Sequence, residues 1–250
     1  MTDLLEKLKK ATEFSPYAAF FVPKAGVNAI IRLLPVDPPV VEYKEHFLKW
    51  SFVCTANKGR CPVCEISERF QLPDMKAYKR FLFYVWDTMD KEQPIKLWAA
   101  GAKIAQSINF FVNQKIDLLD PVNGIPLVIR REGQGLKTTY NIYPKEGAKL
   151  PLPSTLDWKS VTPLDKYIED KQKDDLNSLA ENISNMNLDY SVKQSILAYL
   201  TEQGYIHVSS ISPAVVEEEV GNVAVEDEVG EEGESVDDIL AKFKNGVKND

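Results

Sequence analysis

The sequence predicts an α+β protein, mainly β with added helices. Three observations carry that reading. Five short β-prone runs lie between residues 24 and 145, a helical period separates the third from the fourth, and a segment holding all three cysteines interrupts the chain after the first. Five strands with one helix are compatible with a small five-stranded barrel of the oligonucleotide-binding type, here carrying an insertion.

The elements follow in order. Residues 3–12 read as a short amphipathic helix with Leu4, Leu5, Leu8 and Ala11 on one side. Lys7, Lys9 and Lys10 crowd its end and Thr12 follows. Ala29–Leu34 is a strand stopped by Pro35, and Pro38-Pro39 confirms the break. Arg80–Trp86 is strongly β-prone and Ile95–Trp98 is a shorter strand. Gly101–Asn113 places Ile104, Ile108, Phe111 and Val112 at helical spacing. Pro126–Arg131 and Lys137–Tyr143 are joined through Glu132-Gly133-Gln134-Gly135 as a hairpin. Residues 144–153 are a linker, and helices are expected near 163–184 and 191–203. From Pro213 the chain turns to Val, Glu, Asp and Gly without period, the composition of a disordered tail.

The expected organisation is an N-terminal arm (1–23), a barrel core (24–153) with a metal-binding insertion at about 43–70, a helical part (154–212) and an acidic tail (213–250). The net charge of −7 divides unevenly. Residues 1–150 carry 22 basic and 16 acidic side chains, residues 151–216 carry 5 and 9, and residues 217–250 carry 3 and 12. A basic body with an acidic extension suits a polyanion ligand, although a solubilising tail explains the same asymmetry. No apolar run exceeds six residues, with Ala18–Val22 inside one of them, too short for a membrane span, and the charged N-terminus is unlike a signal peptide. The expectation is therefore a protein that stays where it is made and has no membrane partner. Three cysteines make a disulfide framework unlikely, and two histidines restrict imidazole catalysis.

The cysteine segment reads His46, seven residues, Cys54, six residues, Cys61, two residues, Cys64. The Cys61-Pro62-Val63-Cys64 knuckle aims two sulfurs at one point, and Cys54 and His46 reach it if the segment folds back. Three thiolates and one imidazole close a tetrahedral zinc shell with no position left for water, which points to one structural Zn2+. A redox pair and inert buried cysteines are the alternatives, but no βαβ pattern of the thioredoxin kind surrounds the pair.

Unpaired nucleic acid offers phosphates to cations and base faces to aromatic rings. In strand 80–86, Phe81, Phe83 and Val85 share the face expected in the core, while Arg80, Leu82, Tyr84 and Trp86 share the other. Lys137 and Tyr143 are placed opposite Tyr140 and Ile142, and Arg130 and Arg131 point to opposite faces. Arg32, Lys79, Lys96, Trp98 and Lys103 complete the candidate surface. The competing expectation for any single ring is core packing.

The tail holds eleven acidic residues and no basic one between Glu217 and Asp238. Ser235-Val236-Asp237-Asp238 resembles a helix-capping box, and Ile239, Leu240 and Phe243 then form a small apolar face suited to docking a partner.

Four of these features together resemble the helix-destabilising single-stranded DNA-binding proteins of T-even-type and related tailed bacteriophages: Ile30-Ile31-Arg32-Leu33-Leu34-Pro35 as first strand, the His46/Cys54/Cys61/Cys64 cluster, the strand Arg80–Asp87 and the acidic tail. The resemblance covers roughly residues 1–150 and the tail. It implies an oligonucleotide-binding fold with a zinc subdomain after its first strand, and His46, Cys54, Cys61 and Cys64 as the zinc ligands. It implies an N-terminal arm that binds neighbouring copies along the strand through Lys7, Lys9, Lys10 and Thr12. It also implies a tail that recruits replication and recombination proteins, and action in the cytoplasm of a host bacterium. The expected function is non-enzymatic coating of unpaired DNA during phage replication, recombination and repair. The rivals are a single-stranded RNA-binding or regulatory protein on the same fold, a zinc-dependent nuclease, which the closed ligand set disfavours, and a scaffold whose tail does the work.

Overall fold

The computed structural model describes residues 19–207 apart from Lys49 and Glu146. The self-association residues Lys7, Lys9, Lys10 and Thr12, and the docking residues Ile239, Leu240 and Phe243, lie outside the described residues. The element order is β1 (Asn28–Leu33), β2 (Val41–Phe47), β3 (Ser51–Val53), α1 (Pro62–Arg69), β4 (Ala77–Asp87), β5 (Ile95–Gly101), α2 (Ala102–Asn113), β6 (Leu127–Glu132), β7 (Thr139–Pro144), α3 (Leu164–Asn177), α4 (Leu179–Ser184) and α5 (Tyr190–Glu202). No helix among the described residues is long and apolar enough to cross a membrane.

The seven strands form one antiparallel sheet in the order β3-β2-β4-β1-β6-β7, with β5 attached to β4. β4 organises it. Residues 80–86 of β4 pair with β5 along one edge. On the other edge, Ala77–Leu82 pairs with β2 and Val85–Asp87 pairs with β1. The five expected strands are present, but the sheet is open and not a closed five-stranded barrel. Closure would require β5 to pair with β7. Instead the chain at 19–21 takes up the outer edge of β5: Phe21 N–H donates to Leu97 O at 2.7 Å and Leu97 N–H to Ala19 O at 2.9 Å, while Gly26 N–H donates to Arg131 O of β6 at 2.8 Å.

Three cores follow from this frame. The first packs Ile31, Phe83, Val85, Trp98, Leu127 and Ile129 under α2, whose Ile104 and Ile108 lie one turn apart on its buried stripe. The second joins the cysteine insertion (Phe52, Val63, Ile66, Met75) to Leu179, Ile183, Ile196 and Leu200 of α4 and α5. The third lies on the other face of β4 and β5, where α3 lays Leu164, Tyr167 and Ile168 over Leu82, Tyr84 and Leu97. The face assigned from sequence to ligand is therefore largely covered. Tyr84 is 1% exposed and donates its hydroxyl to Thr162 O at 2.9 Å. Burial pushes its pKa up to about 12.

Arg32, a candidate surface cation, is also interior. Its guanidinium donates to the carbonyls of Gly124, Leu150 (2.8 Å) and Asp120 (2.7 Å). Desolvation lowers its pKa, opposed by Asp117 and Asp120. The role is structural, because one buried cation satisfies three carbonyls of the loops that close over β1. Gly124 is required there, since a Cβ would meet the guanidinium. Gly124→Ala should lower unfolding stability by about 1–3 kcal/mol through overpacking. Chemical denaturation checks this, and an unchanged midpoint would show that the contact is not close.

Candidate metal centre and aromatic surface

Four side chains from four local structures converge in the insertion. His46 comes from β2, Cys54 follows β3, and Cys61 caps α1 and precedes its Pro62. Cys64 lies in the first turn of α1, so one helix start presents both sulfurs of the knuckle. The four donor atoms lie within 4.8 Å of one another. Cys54 Sγ and Cys64 Sγ are 3.6 Å apart, and His46 Nε2 lies 3.4 Å from Cys61 Sγ and 3.5 Å from Cys64 Sγ. A tetrahedral ion with metal–sulfur bonds of about 2.3 Å and metal–nitrogen bonds of about 2.0–2.1 Å needs sulfur–sulfur edges near 3.8 Å and sulfur–nitrogen edges near 3.6 Å. The cluster therefore fits one metal ion.

The orientation of the ligands is built in. His46 Nδ1 sits 2.6 Å from Met75 O, so it carries the proton and leaves Nε2 free to face the sulfurs. The ring stands edge-on to Phe52. The Cys61 thiol is held down to about 3, chiefly by its hydrogen bond from Cys54. The Cys54 thiol is pushed up by its hydrogen bond to Cys61 and by burial, and the Cys64 thiol by burial and the Cys61 charge. A bound ion displaces the protons shared among the three sulfurs.

Helix α3 braces the cluster. β3 is an edge strand, and its outward backbone groups would be orphaned. Asp175 accepts Val53 N–H at 2.7 Å, and Gln172 donates to Cys54 O at 2.9 Å. These two residues are 3% and 2% exposed. Asp175 is also paired with Lys171, although burial raises its pKa. On the far side, Glu65 of α1 accepts from Arg60 at 2.8 Å, Tyr199 at 2.9 Å and Tyr205 at 2.8 Å, which ties the knuckle helix to α5 and the turn after it.

The candidate surface residues scatter. Trp98 is a core residue, 3% exposed, edge-on to Phe21 at 5.7 Å. Trp86 is half-buried against the third core. Lys96 is paired with Asp90 (2.7 Å) and Asp87 (3.6 Å), Lys79 with Glu42 (2.8 Å), and Arg130 with Glu132 (2.9 Å). Arg131 is half-buried, with its Nε enclosed. Lys103, Lys137 and Tyr143 are exposed. Lys137 falls in a single-turn helix before β7 and not on the strand.

Arg80 is where the structure adds residues. It lies at the end of β4 that α3 leaves open, 5.9 Å from the Phe47 ring centroid and 3.1 Å from Glu45. The register pairs Arg80 with Tyr43 and Tyr78 with Glu45, so Tyr78, Arg80, Glu45 and Phe47 share one face. Phe47 is 61% and Tyr78 56% exposed. Both rings were missed from sequence because β2 was not read as a strand and β4 was begun at residue 80. The alternation Val41, Tyr43, Glu45, Phe47 was the available signal.

Fold and site together define an α+β protein with a buried three-cysteine, one-histidine cluster fit to hold a metal ion. The chain matches no protein-family model, no curated protein and no solved structure.

Removing the brace should loosen the ligand set without touching a ligand. Gln172→Ala is expected to weaken metal affinity by about 10-fold, the scale of outer-shell losses, in a competition titration with a chromogenic chelator. Equal affinities in variant and parent would show that α3 does not support Cys54.

Proposed function

We propose that this protein is a non-enzymatic single-stranded DNA-binding protein whose insertion is held by one structural zinc ion. The observation that carries the reading is the pair of exposed rings, Phe47 and Tyr78, on the face they share with Arg80 at the open end of β2 and β4. Large aromatic area is normally buried, and two exposed rings on one face with a cation suit the faces of unpaired bases. Exposed Lys76 precedes Tyr78 by two residues, and exposed Lys44 and Lys79 pair across the opposite face of the same two strands. These lysines supply phosphate contacts at the edge of the platform.

Zinc is the ion of choice for three thiolates and an imidazole in a closed tetrahedron, and its role here is structural. His46 and Phe47 are adjacent in β2, so the ion fixes the strand that presents a ring. The resemblance to phage helix-destabilising proteins extends the reading. In that picture the protein coats DNA in the cytoplasm of an infected bacterium during replication, recombination and repair. Neighbouring copies contact through the N-terminal arm, and replication and recombination proteins dock on the acidic tail.

Fluorescence titration with oligo-dT in dilute salt tests this. Phe47→Ala and Tyr78→Ala should each cost about 1–3 kcal/mol, roughly 5- to 150-fold in affinity. Affinity should also fall with salt with a slope near −0.7 for each phosphate contacted. Tyr84→Phe, altered in the interior, should bind as the parent does. Absence of binding, with the tail intact and with it removed after residue 212, would end the DNA reading. Undiminished binding by both ring variants would move the site elsewhere. Preference for poly-U over poly-dT would favour the RNA-binding rival. Metal analysis of protein purified without chelator should find about one zinc per chain.

A further inference from the structure

The four metal-binding side chains are not equally enclosed. His46, Cys61 and Cys54 are 0%, 2% and 5% exposed, while Cys64 is only partly buried. Cys64 also lines a cavity of about 550 Å³ together with His46, Ser67, Glu68, Met75 and Lys76. Cys64 is the one cysteine of the three that lines this cavity, and its sulfur lies 3.6 Å from the Cys54 sulfur, close to van der Waals contact.

We propose that Cys64 is an oxidative modification site through which peroxides convert the metal centre into a Cys54–Cys64 disulfide and release the ion. The Cys64 thiolate attacks one peroxide oxygen, an S–O bond forms, the O–O bond breaks, and hydroxide leaves. The Cys54 thiolate then attacks the Cys64 sulfur of the sulfenic acid, an S–S bond forms, the S–O bond breaks, and a second hydroxide leaves. Two thiolates are oxidised by two electrons and one peroxide is reduced. Only His46 and Cys61 then remain as ligands, too few for a closed shell. A metal-bound thiolate stays nucleophilic, and access decides which of three sulfurs reacts first. The inference rests on the metal reading and is independent of the DNA reading.

Hydrogen peroxide at a few equivalents, added to the full-length metal-loaded protein, should release one ion per peroxide consumed, followed with a chromogenic chelator. Trypsin cleavage after Lys49, Lys58, Arg60 and Arg69 places Cys54 and Cys64 on separate peptides, Trp50–Lys58 and Cys61–Arg69. The expected product is a cross-link between them at Cys64, reversed by dithiothreitol with metal uptake restored. Limiting N-ethylmaleimide, which requires no variant, should label Cys64 before Cys54 and Cys61. A disulfide confined to Cys61–Arg69, first labelling at another cysteine, or metal retention under peroxide would overturn the proposal. Protein that carries no metal when prepared under reducing conditions would remove the metal reading itself, while the labelling order would still judge Cys64.

Discussion

The placement of β4 decides most of what this protein exposes. The strand is hydrogen-bonded along both edges, and both of its faces are covered over most of its length. Phe83 and Val85 enter one core, and Leu82 and Tyr84 enter another beneath α3. Burial on both faces releases water from nearly every apolar atom of the strand, each large side chain contributing about 1.5–3 kcal/mol. The sequence Phe-Leu-Phe-Tyr-Val is the near-continuous apolar run that such a strand requires, more than the half-buried alternation of a surface strand. Only the end at Tyr78 and Arg80 runs past α3, so of the β4 rings it is Tyr78 that stays exposed.

The insertion depends on elements remote in sequence. Its apolar residues supply about half of a core that α4 and α5 complete. A segment this small folds stably only with cross-links or a metal. Here the cysteine–histidine cluster, able to hold an ion, the α3 brace on Val53 and Cys54, and the Glu65 hub lie on three sides of it. The helical part after residue 154 thus serves two purposes, sealing the sheet and clamping the ligand-bearing loop.

Local chemistry was legible in the sequence and tertiary coverage was not. The runs around Ile30, Phe83, Leu97 and Ile129, the stripe of α2, the later helices and the cysteine–histidine spacing all follow from period and residue type. β2 and β3 escaped notice because Glu42, Lys44 and Glu45 lower the mean hydropathy of a strand whose alternation is nonetheless present. The roles of Tyr84, Trp98 and Arg32 depend on what lies above them. Period 2 separates two faces of a strand but carries no information on whether a helix 80 residues later covers one of them. The open sheet has a similar origin, since the residues that occupy the outer edge of β5 lie at 19–21, outside any strand-like pattern.

Charge counting also overstated the basic surface, and pair geometry corrects it. Lys79–Glu42 and Arg130–Glu132 are exposed pairs worth about 0–1 kcal/mol each, so an arriving phosphate competes with them at little cost. Arg80 differs, because the Glu45 side chain beside it is 9% exposed. Drawing Arg80 away would leave that carboxylate enclosed and unpaired, which is expensive. Arg80 therefore acts as a brace, neutralising Glu45 and steadying the Phe47 ring by a cation–π contact, more than as a phosphate ligand. On this surface solvation separates the residues: Lys44, Lys79 and the Phe47 and Tyr78 rings are open to solvent, while the half-buried Arg80 guanidinium holds Glu45 and Phe47 in place.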